Sequence, residues 1–504
     1  MLEVTIVKPD AQVLPDYDVC ILGAGIAGII AALELAKQRP DYRICLVESG
    51  AKERNQIYQK YCQGENRSPV LSEAEDPGIS RVRALGGTSH IWGGYISPLD
   101  TESFERQAWR PKSGWPISKE DLDPFYFIAS SYFQVDPYFD TAHWLDQSHY
   151  SASFRGHGLT QKIWQFHGLN FASIYGNVLE LSAQIDVFVE TTCVGLRLDS
   201  NGRIVQANCA HNGALVSVAA GIFVVSMGGL ENARFLLNQK AENPDFLPVT
   251  HVNVGRYFSV HPVYFWGKVL LTGALAESKL YARNSMKPVS GSGLSAFLKV
   301  SDEIRRTRNW LDCVFEIVLP MPPQESRALD PEIIGHLTSR NHVLMQFLLL
   351  INEMETRFDN HVGLTDSLDD FGQRRLYIDL SVTPNEIRSS YEQLLFFGRQ
   401  LGSNDLGRIW LDQDAIRKTM SGELKFWGGH HHMCTTRMSH TPDDGVVNGD
   451  CRFHDHENLF ALGSSVFTTT GCANPTFTIG ALAIRLAHHL AANERFAPAS
   501  LAPV

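Results

Sequence analysis

The stretch VCILGAGIAGIIAALEL, Val19 to Leu35, carries the strongest structural signal in the chain. Val19 to Leu22 is a short apolar run, a glycine turn follows at once, and the residues after it have helical composition. A second apolar run, Ile44 to Val47, ends at Glu48. Strand, glycine turn, helix and strand in this order make a dinucleotide-binding unit. The three glycines differ in what they do. Gly23 makes the tight turn, Gly25 lets backbone amides approach a pyrophosphate, and Gly28 lets the helix lie close to the strand. The helix N-terminus adds positive partial charge for the phosphates. Glu48 falls about 20 residues beyond the glycines, where an acid accepts hydrogen bonds from a ribose hydroxyl and argues for NAD or FAD against a 2′-phosphate. The motif by itself leaves both open.

Composition narrows the rest. The 504 residues, 44% hydrophobic and 20% charged, are ordinary globular material for one large or two interlocked domains. The net charge is −11, and no basic run interleaved with aromatics is present, so nucleic acid is not an expected partner. Nine cysteines without a CxxC pair fit neither a disulfide framework nor a zinc site, and point to reduced thiols in the cytoplasm. The N-terminus lacks the basic start and apolar core of a secretory signal. The longest apolar stretches, such as that around Leu344 to Ile351, have about half the roughly 20 residues of a membrane span. The expectation is a soluble, cytoplasmic protein with no membrane partner.

A second glycine-rich segment, RVRALGGTSHIWGGY from Arg81 to Tyr95, exposes backbone amides and lets the main chain lie flat against a planar ligand. GWPISKEDLDPFY follows from Gly114, with Ser118 as the expected start of a capped helix. The run Ile185 to Asp199 alternates and leads through Asp199-Ser200-Asn201-Gly202 into another strand, a hairpin signature. Ala220 to Ser226 returns as a buried strand before GGLENAR, Gly228 to Arg234. Apolar or alternating runs at Tyr264–Leu271, Leu311–Leu319, Val343–Ile351 and Leu376–Leu380 suggest an antiparallel sheet flanked by helices. One of those helices is marked by Thr383-Pro384-Asn385-Glu386, a capping box with a first-turn proline, and by the stripe Ile387, Tyr391, Leu394 and Leu395. Asp136 to Leu169, rich in aromatics, is expected either as a lid or dimer contact or as an ordinary long surface excursion, and the Ala/Pro tail after Phe496 as disordered.

These separated motifs, together with VGRYFSVHP from Val254 to Pro262, resemble the glucose-methanol-choline (GMC) oxidoreductases, particularly the branch with pyranose oxidase and fructose dehydrogenase. The resemblance implies FAD. It further implies an α/β fold, α+β overall, with a Rossmann-like FAD-binding domain interleaved with a substrate domain built on an antiparallel sheet. The expected division is 1–135, 186–262 and 426–504 for FAD, and 136–185 with 263–425 for substrate. The expected FAD contacts are Gly23, Gly25, Gly28, Glu48, Arg83, Gly87, Thr88, Ser89, Gly93, Val194, Gly463, Ser464, Asn474 and Thr476. Some relatives join a histidine covalently to the flavin four residues after the second glycine of the pair. Here His90 comes three residues after Gly87 and Ile91 holds the linking place, so attachment is expected to be non-covalent.

GGHHHMCTTRM, Gly428 to Met438, is dense in metal ligands, but three consecutive side chains diverge in any regular backbone, and no metal is expected. The resemblance implies another use. The family's catalytic histidine lies seven residues before a methionine, which is His431 counted from Met438, and its partner asparagine matches Asn474 of A-N-P-T. His430 and His432 then become supports. A neutral imidazole near working pH suits proton abstraction, and an amide beside it orients a hydroxyl without competing for the proton. The expected reaction is oxidation of a CH–OH group in a sugar, polyol or glycosylated natural product, with oxygen, a quinone or another acceptor taking the electrons. The alternatives are a redox-neutral lyase of the same fold and a flavin-stabilised binding protein, and a homo-oligomer is compatible with all three. Three departures from the family pattern stand out: Cys434 in place of glycine, Ser226-Met227 in place of a small pair, and Ser464 where some members carry aspartate.

Overall fold

A computed structural model describes residues 16–145, 158–272, 279–281, 291–320 and 344–493. Its first sheet is built from the opening motif outward. β1 (Tyr17–Leu22) and β2 (Ile44–Val47) pair in parallel, joined by α1 (Ile26–Gln38), because parallel neighbours need a crossover element. β6 (Ile185–Phe188) extends this parallel edge beside β2. On the other side of β1 lies the second half of β9 (Ala214–Val225), followed by β17 (Leu459–Ala461), which returns from near the far end of the chain. The first half of β9 pairs antiparallel with β8 (Ile204–His211), and β8 with β7 (Thr191–Leu198). One strand thus belongs to both a parallel sheet and a meander. The single alternating run of the sequence is two strands, β6 and β7, separated at Glu190, whose φ of 54° turns the chain. The hairpin is as expected: Asp199 Oδ1 accepts from the amides of Asn201 and Arg203, and Gly202 takes φ 78°.

The second sheet is antiparallel throughout, in the order β16 (Gly407–Leu411), β10 (Val263–Leu271), β13 (Leu344–Asn352), β12 (Cys313–Pro320), β11 (Gly293–Val300), β5 (Leu159–Phe166) and β4 (Tyr95–Ile96). Alternation sorts its side chains. Leu348 and Leu350 of β13 and Phe315 of β12 enter a core covered by the helix Pro384–Ser403, where Phe315 stacks on Phe397 at 4.5 Å. Leu349, Ile351, Glu316 and Val263 face the opposite way, toward a large cavity. The capping box of that helix is present as its sequence requires, with Thr383 accepting from the Glu386 amide.

Three expectations are corrected. The run at Leu376–Leu380 does not join this sheet; it forms β15 (Arg374–Asp379), which with β14 (His361–Leu368) and a parallel β3 (Gly64–Asn66) makes a separate three-stranded sheet. The helix expected from Ser118 starts at Asp123; Ser118 and Asp121 exchange hydrogen bonds in the turn before it, and Pro124 fits only its first turn. The described part of Asp136–Leu169 contains a core strand, β5, whose Trp164 is fully buried, rather than a lid; residues 146–157 lie outside the described residues, as does the tail after Phe496. Two short pieces also cross the division drawn from the sequence. β4 joins the second sheet, and the helix Phe171–Glu180 packs on α1 and β6.

Candidate active site

The two sheets enclose a cavity of about 620 Å³. At one end, the turn after β1 is packed to contact. A Cβ at Gly28 would sit 2.0 Å from the carbonyl oxygen of Gly23, and Ser226 closes the same turn by donating to the carbonyls of Leu22 and Gly23. Gly25, by contrast, has open space where its Cβ would point, and so has Gly228. Both line the cavity, as do Ile26 and Ala27 at the start of α1. The chain keeps free here the space and backbone dipoles that a pyrophosphate uses.

Glu48, at the end of β2, lines the cavity beside Ser49, Thr191, Thr192 and Cys193. Its carboxylate accepts from the amides of Ala24 at 3.1 Å and Gly50 at 2.7 Å. Burial raises its carboxyl above the ordinary range, opposed by those two donors and by the Arg83 charge. Arg83 lines the cavity too, donating to Ser49 Oγ at 2.6 Å and pairing with Glu231 at 2.6 Å. Arg81 and Arg234 share the same acid, and Glu231 is held far below the usual carboxylate range despite its burial.

Gly87, Thr88, Gly93, Gly463, Ser464, Asn474 and Thr476 also line the cavity. Three expected contacts do not. Gly28 serves the turn beneath. Ser89 braces its own loop, donating to the Gly86 carbonyl and accepting from the Phe171 amide. Val194 is displaced by a bulge between Cys193 and Gly195, and Cys193 lines the cavity instead. His90 is held by the Leu85 carbonyl at 2.8 Å and the Asn170 amide group at 3.2 Å, while Ile91 borders the cavity.

The histidine run is clamped from both sides: the amide of Met433 bonds the Ser259 carbonyl, and that of Cys434 bonds the Ser464 carbonyl. Cys434 takes φ 72°, the left-handed conformation that glycine adopts most readily. The run turns at His430, with φ 56°, which separates the three imidazoles. His430 bonds the Ala74 carbonyl, and His432 stands 3.8 Å from the buried Glu75 carboxylate. Burial pushes His432 down to about 3. Of the three, His431 is the one that meets both Asn474 and His261. Its Nε2 lies 3.1 Å from Asn474 Nδ2, and its Nδ1 lies 2.9 Å from Nδ1 of His261. Burial drives the His431 imidazole well below the ordinary histidine range, and His261, His432 and His430 act in the same direction.

His261 lies within VGRYFSVHP, where the sequence assigns it no role, and Trp164, whose Nε1 donates to Asn474 Oδ1 at 3.1 Å, lies in the segment expected to be a lid. Neither has a local signal, because each meets its partner across more than 160 residues.

Residues 357–483, which carry both His431 and Asn474, match a family model described as GMC oxidoreductase. The whole chain is 22% identical to 2-methyl-1,2-propanediol dehydrogenase of Mycolicibacterium austroafricanum, over 94% of the chain and 95% of that protein. It is 32% identical to 6'''-hydroxyparomomycin C oxidase of Streptomyces lividus, over 27% of the chain and 24% of that protein. Among solved structures, pyridoxine 4-oxidase from Mesorbium loti shares the fold with a TM-score of 0.57 at 17% identity, covering 94% of this chain and 99% of that one.

Two outcomes follow from the cradle. Gly25→Val places a branched side chain where only ligand space exists, so the variant should fold with unchanged circular dichroism but purify without visible flavin absorbance. At φ 72° a β-branched residue is strained, so Cys434→Val should lower the thermal unfolding temperature more than Cys434→Ala, by the equivalent of about 1 kcal/mol or more.

Proposed function

We propose that this chain is an FAD-dependent oxidoreductase that oxidises a CH–OH group of a sugar, polyol or glycosylated natural product. The observation that carries the reading is the pairing of His431 Nε2 with Asn474 Nδ2 at 3.1 Å on the cavity wall. An acceptor and a donor side by side are complementary to a hydroxyl, which is both. A substrate hydroxyl entering between them donates its proton to Nε2 while its oxygen accepts from the amide. FAD, when bound, supplies the acceptor for the hydride of the carbinol carbon. His431 takes the hydroxyl proton, and Asn474 holds the oxygen and thereby fixes the carbon's position.

The parallel sheet and its glycine turns would hold FAD, through Gly23, Gly25, Glu48, Arg83, Gly87, Thr88, Gly93, Gly463, Ser464 and Thr476. Val263, Glu316, Leu349 and Ile351 of the antiparallel sheet would shape the substrate side. A mostly apolar wall with one carboxylate suits a substrate that offers a hydrogen-bond donor beside a carbon skeleton. The relatives' names, a diol dehydrogenase and an aminoglycoside oxidase, support a polyhydroxylated substrate. All nine cysteines are free thiols, which supports a reducing, cytoplasmic setting. The acceptor, oxygen or a quinone-like molecule, is distinguished by timing reoxidation of the reduced enzyme in air.

Anaerobic mixing with a panel of sugars, polyols and aminoglycosides should bleach the flavin absorbance with at least one of them, and turnover without bleaching would instead support redox-neutral chemistry. His431→Ala should slow that bleaching about 10²–10⁴-fold. The base must be neutral to act and is protonated only below its pKa. Because that value is lowered, the acid limb of kcat/KM should fall well below pH 6.5, the ordinary histidine value.

A further inference from the structure

We infer that His261 is a positioning residue that fixes the tautomer of His431. The inference rests on His431 as the base. Four contacts link Trp164, Asn474, His431, His261 and the Thr470 carbonyl in one chain. Both ends of the chain have a fixed polarity: an indole N–H only donates, and a carbonyl oxygen only accepts. Trp164 Nε1 faces one atom of the Asn474 amide at 3.1 Å, which must therefore be Oδ1. The atom facing His431 Nε2 at 3.1 Å is then the amide nitrogen, which only donates, so Nε2 holds the lone pair and Nδ1 holds the proton. At 2.9 Å, His431 Nδ1–H has one partner, the unprotonated Nδ1 of His261. The His261 proton then sits on Nε2, 3.4 Å from the Thr470 carbonyl. With both histidines neutral, no other assignment of protons satisfies all four contacts.

The chemical consequence is specific. A base that takes a proton at Nε2 must carry its own proton at Nδ1, and the group that accepts from Nδ1 decides this. A carboxylate in that place would also stabilise the imidazolium and raise the pKa of the base. A neutral imidazole sets the tautomer without adding a negative charge. The two rings meet edge to face, at 83° with centroids 4.9 Å apart, and their Nδ1 atoms are 2.9 Å from each other. His261 is fully buried, and the Ser259–Met433 pairing and the 258–263 segment hold it against the histidine run. It touches neither substrate nor cofactor space, since it does not line the cavity.

The test uses the flavin-loaded enzyme labelled with ¹⁵N-histidine, with the His431 resonances assigned by their loss in His431→Ala. Without substrate, the wild-type spectrum should show a protonated Nδ1 and an unprotonated Nε2 for His431. His261→Phe keeps a planar ring but removes the acceptor; it should give a mixture of tautomers and slow anaerobic bleaching about 10–100-fold. His261→Asn returns an acceptor oxygen and should restore the single tautomer and most of the rate. A wild-type Nε2–H tautomer would overturn the inference. So would a His261→Phe variant whose His431 keeps Nδ1–H, whether its bleaching is slow or unchanged, because the ring would then only fill space. Wild-type bleaching in His431→Ala would remove the base reading while leaving the tautomer result to stand, so the two failures are distinguishable.

Discussion

The contact between Gly28 and the Gly23 carbonyl, with no room for a single added carbon, sets the geometry of everything built around it. It brings α1 down onto the end of β1 and aims the helix N-terminus into the cavity. Ser226 then bonds two carbonyls of the same turn, so β9 ends at a fixed height beside β1. β17 follows from β9, in parallel register from Leu459 to Ala461, and carries Gly463 and Ser464 to the cavity. Helical structure resumes at Thr476, just past Asn474. The position of the amide in the proposed catalytic pair is thus inherited from a glycine turn near the opposite end of the chain.

A second set of forces joins the antiparallel sheet to this frame. Asp100, just after β4, accepts from Lys162 of β5 at 2.6 Å and Lys299 of β11 at 2.7 Å; Lys299 and Arg305 reach Asp312 at 2.9 and 3.1 Å. Lys162, Lys299, Arg305 and Asp312 are buried and Asp100 is partly so, and each charge is compensated, which is the condition for such groups to be tolerated in an interior. Asp100, Asp312 and Cys472 converge closely enough to hold a cation, but the Lys299 ammonium already occupies that electrostatic position. Cys472 stands two residues before Asn474, and Glu353 accepts from the neighbouring Gly471 amide while paired with Arg110. The loop that presents Asn474 is therefore fixed by ion pairs from the second sheet as well as by the first. Removing one partner would leave a buried charge beside the proposed active site.

The histidine run shows how far local sequence carries. Spacing alone removes the metal reading, and the family resemblance chooses His431 from three neighbours. The structure supplies the reason the three differ: the positive φ at His430 turns its side chain to the Ala74 carbonyl, and the positive φ at Cys434 ends the segment against Ser464. Elsewhere the local signals mislead where pairing is non-local. Alternation at Leu376–Leu380 marks a strand correctly but does not say which sheet receives it, since an antiparallel hairpin and a parallel edge strand carry the same pattern. The aromatic segment before Leu169 has the composition of a surface excursion because aromatic richness suits a lid and a core equally well, and Trp164 is in the core.

The glycine turn, the acid at Glu48, the capping box at Thr383 and the hairpin at Asp199 are all legible in the amino-acid order, because each depends on backbone conformation or hydrogen bonding within a few residues. The same order nominates His431 and Asn474 as candidates. Long-range packing is needed to establish that Cys193 rather than Val194 lines the cavity, that Glu316 and Leu349 face inward, and that His261 and Trp164 stand at either end of the candidate pair. Those facts follow from strand register, a bulge and contacts between segments more than 160 residues apart. No local pattern encodes them, because the free energy that fixes them comes from burial and pairing across the whole fold.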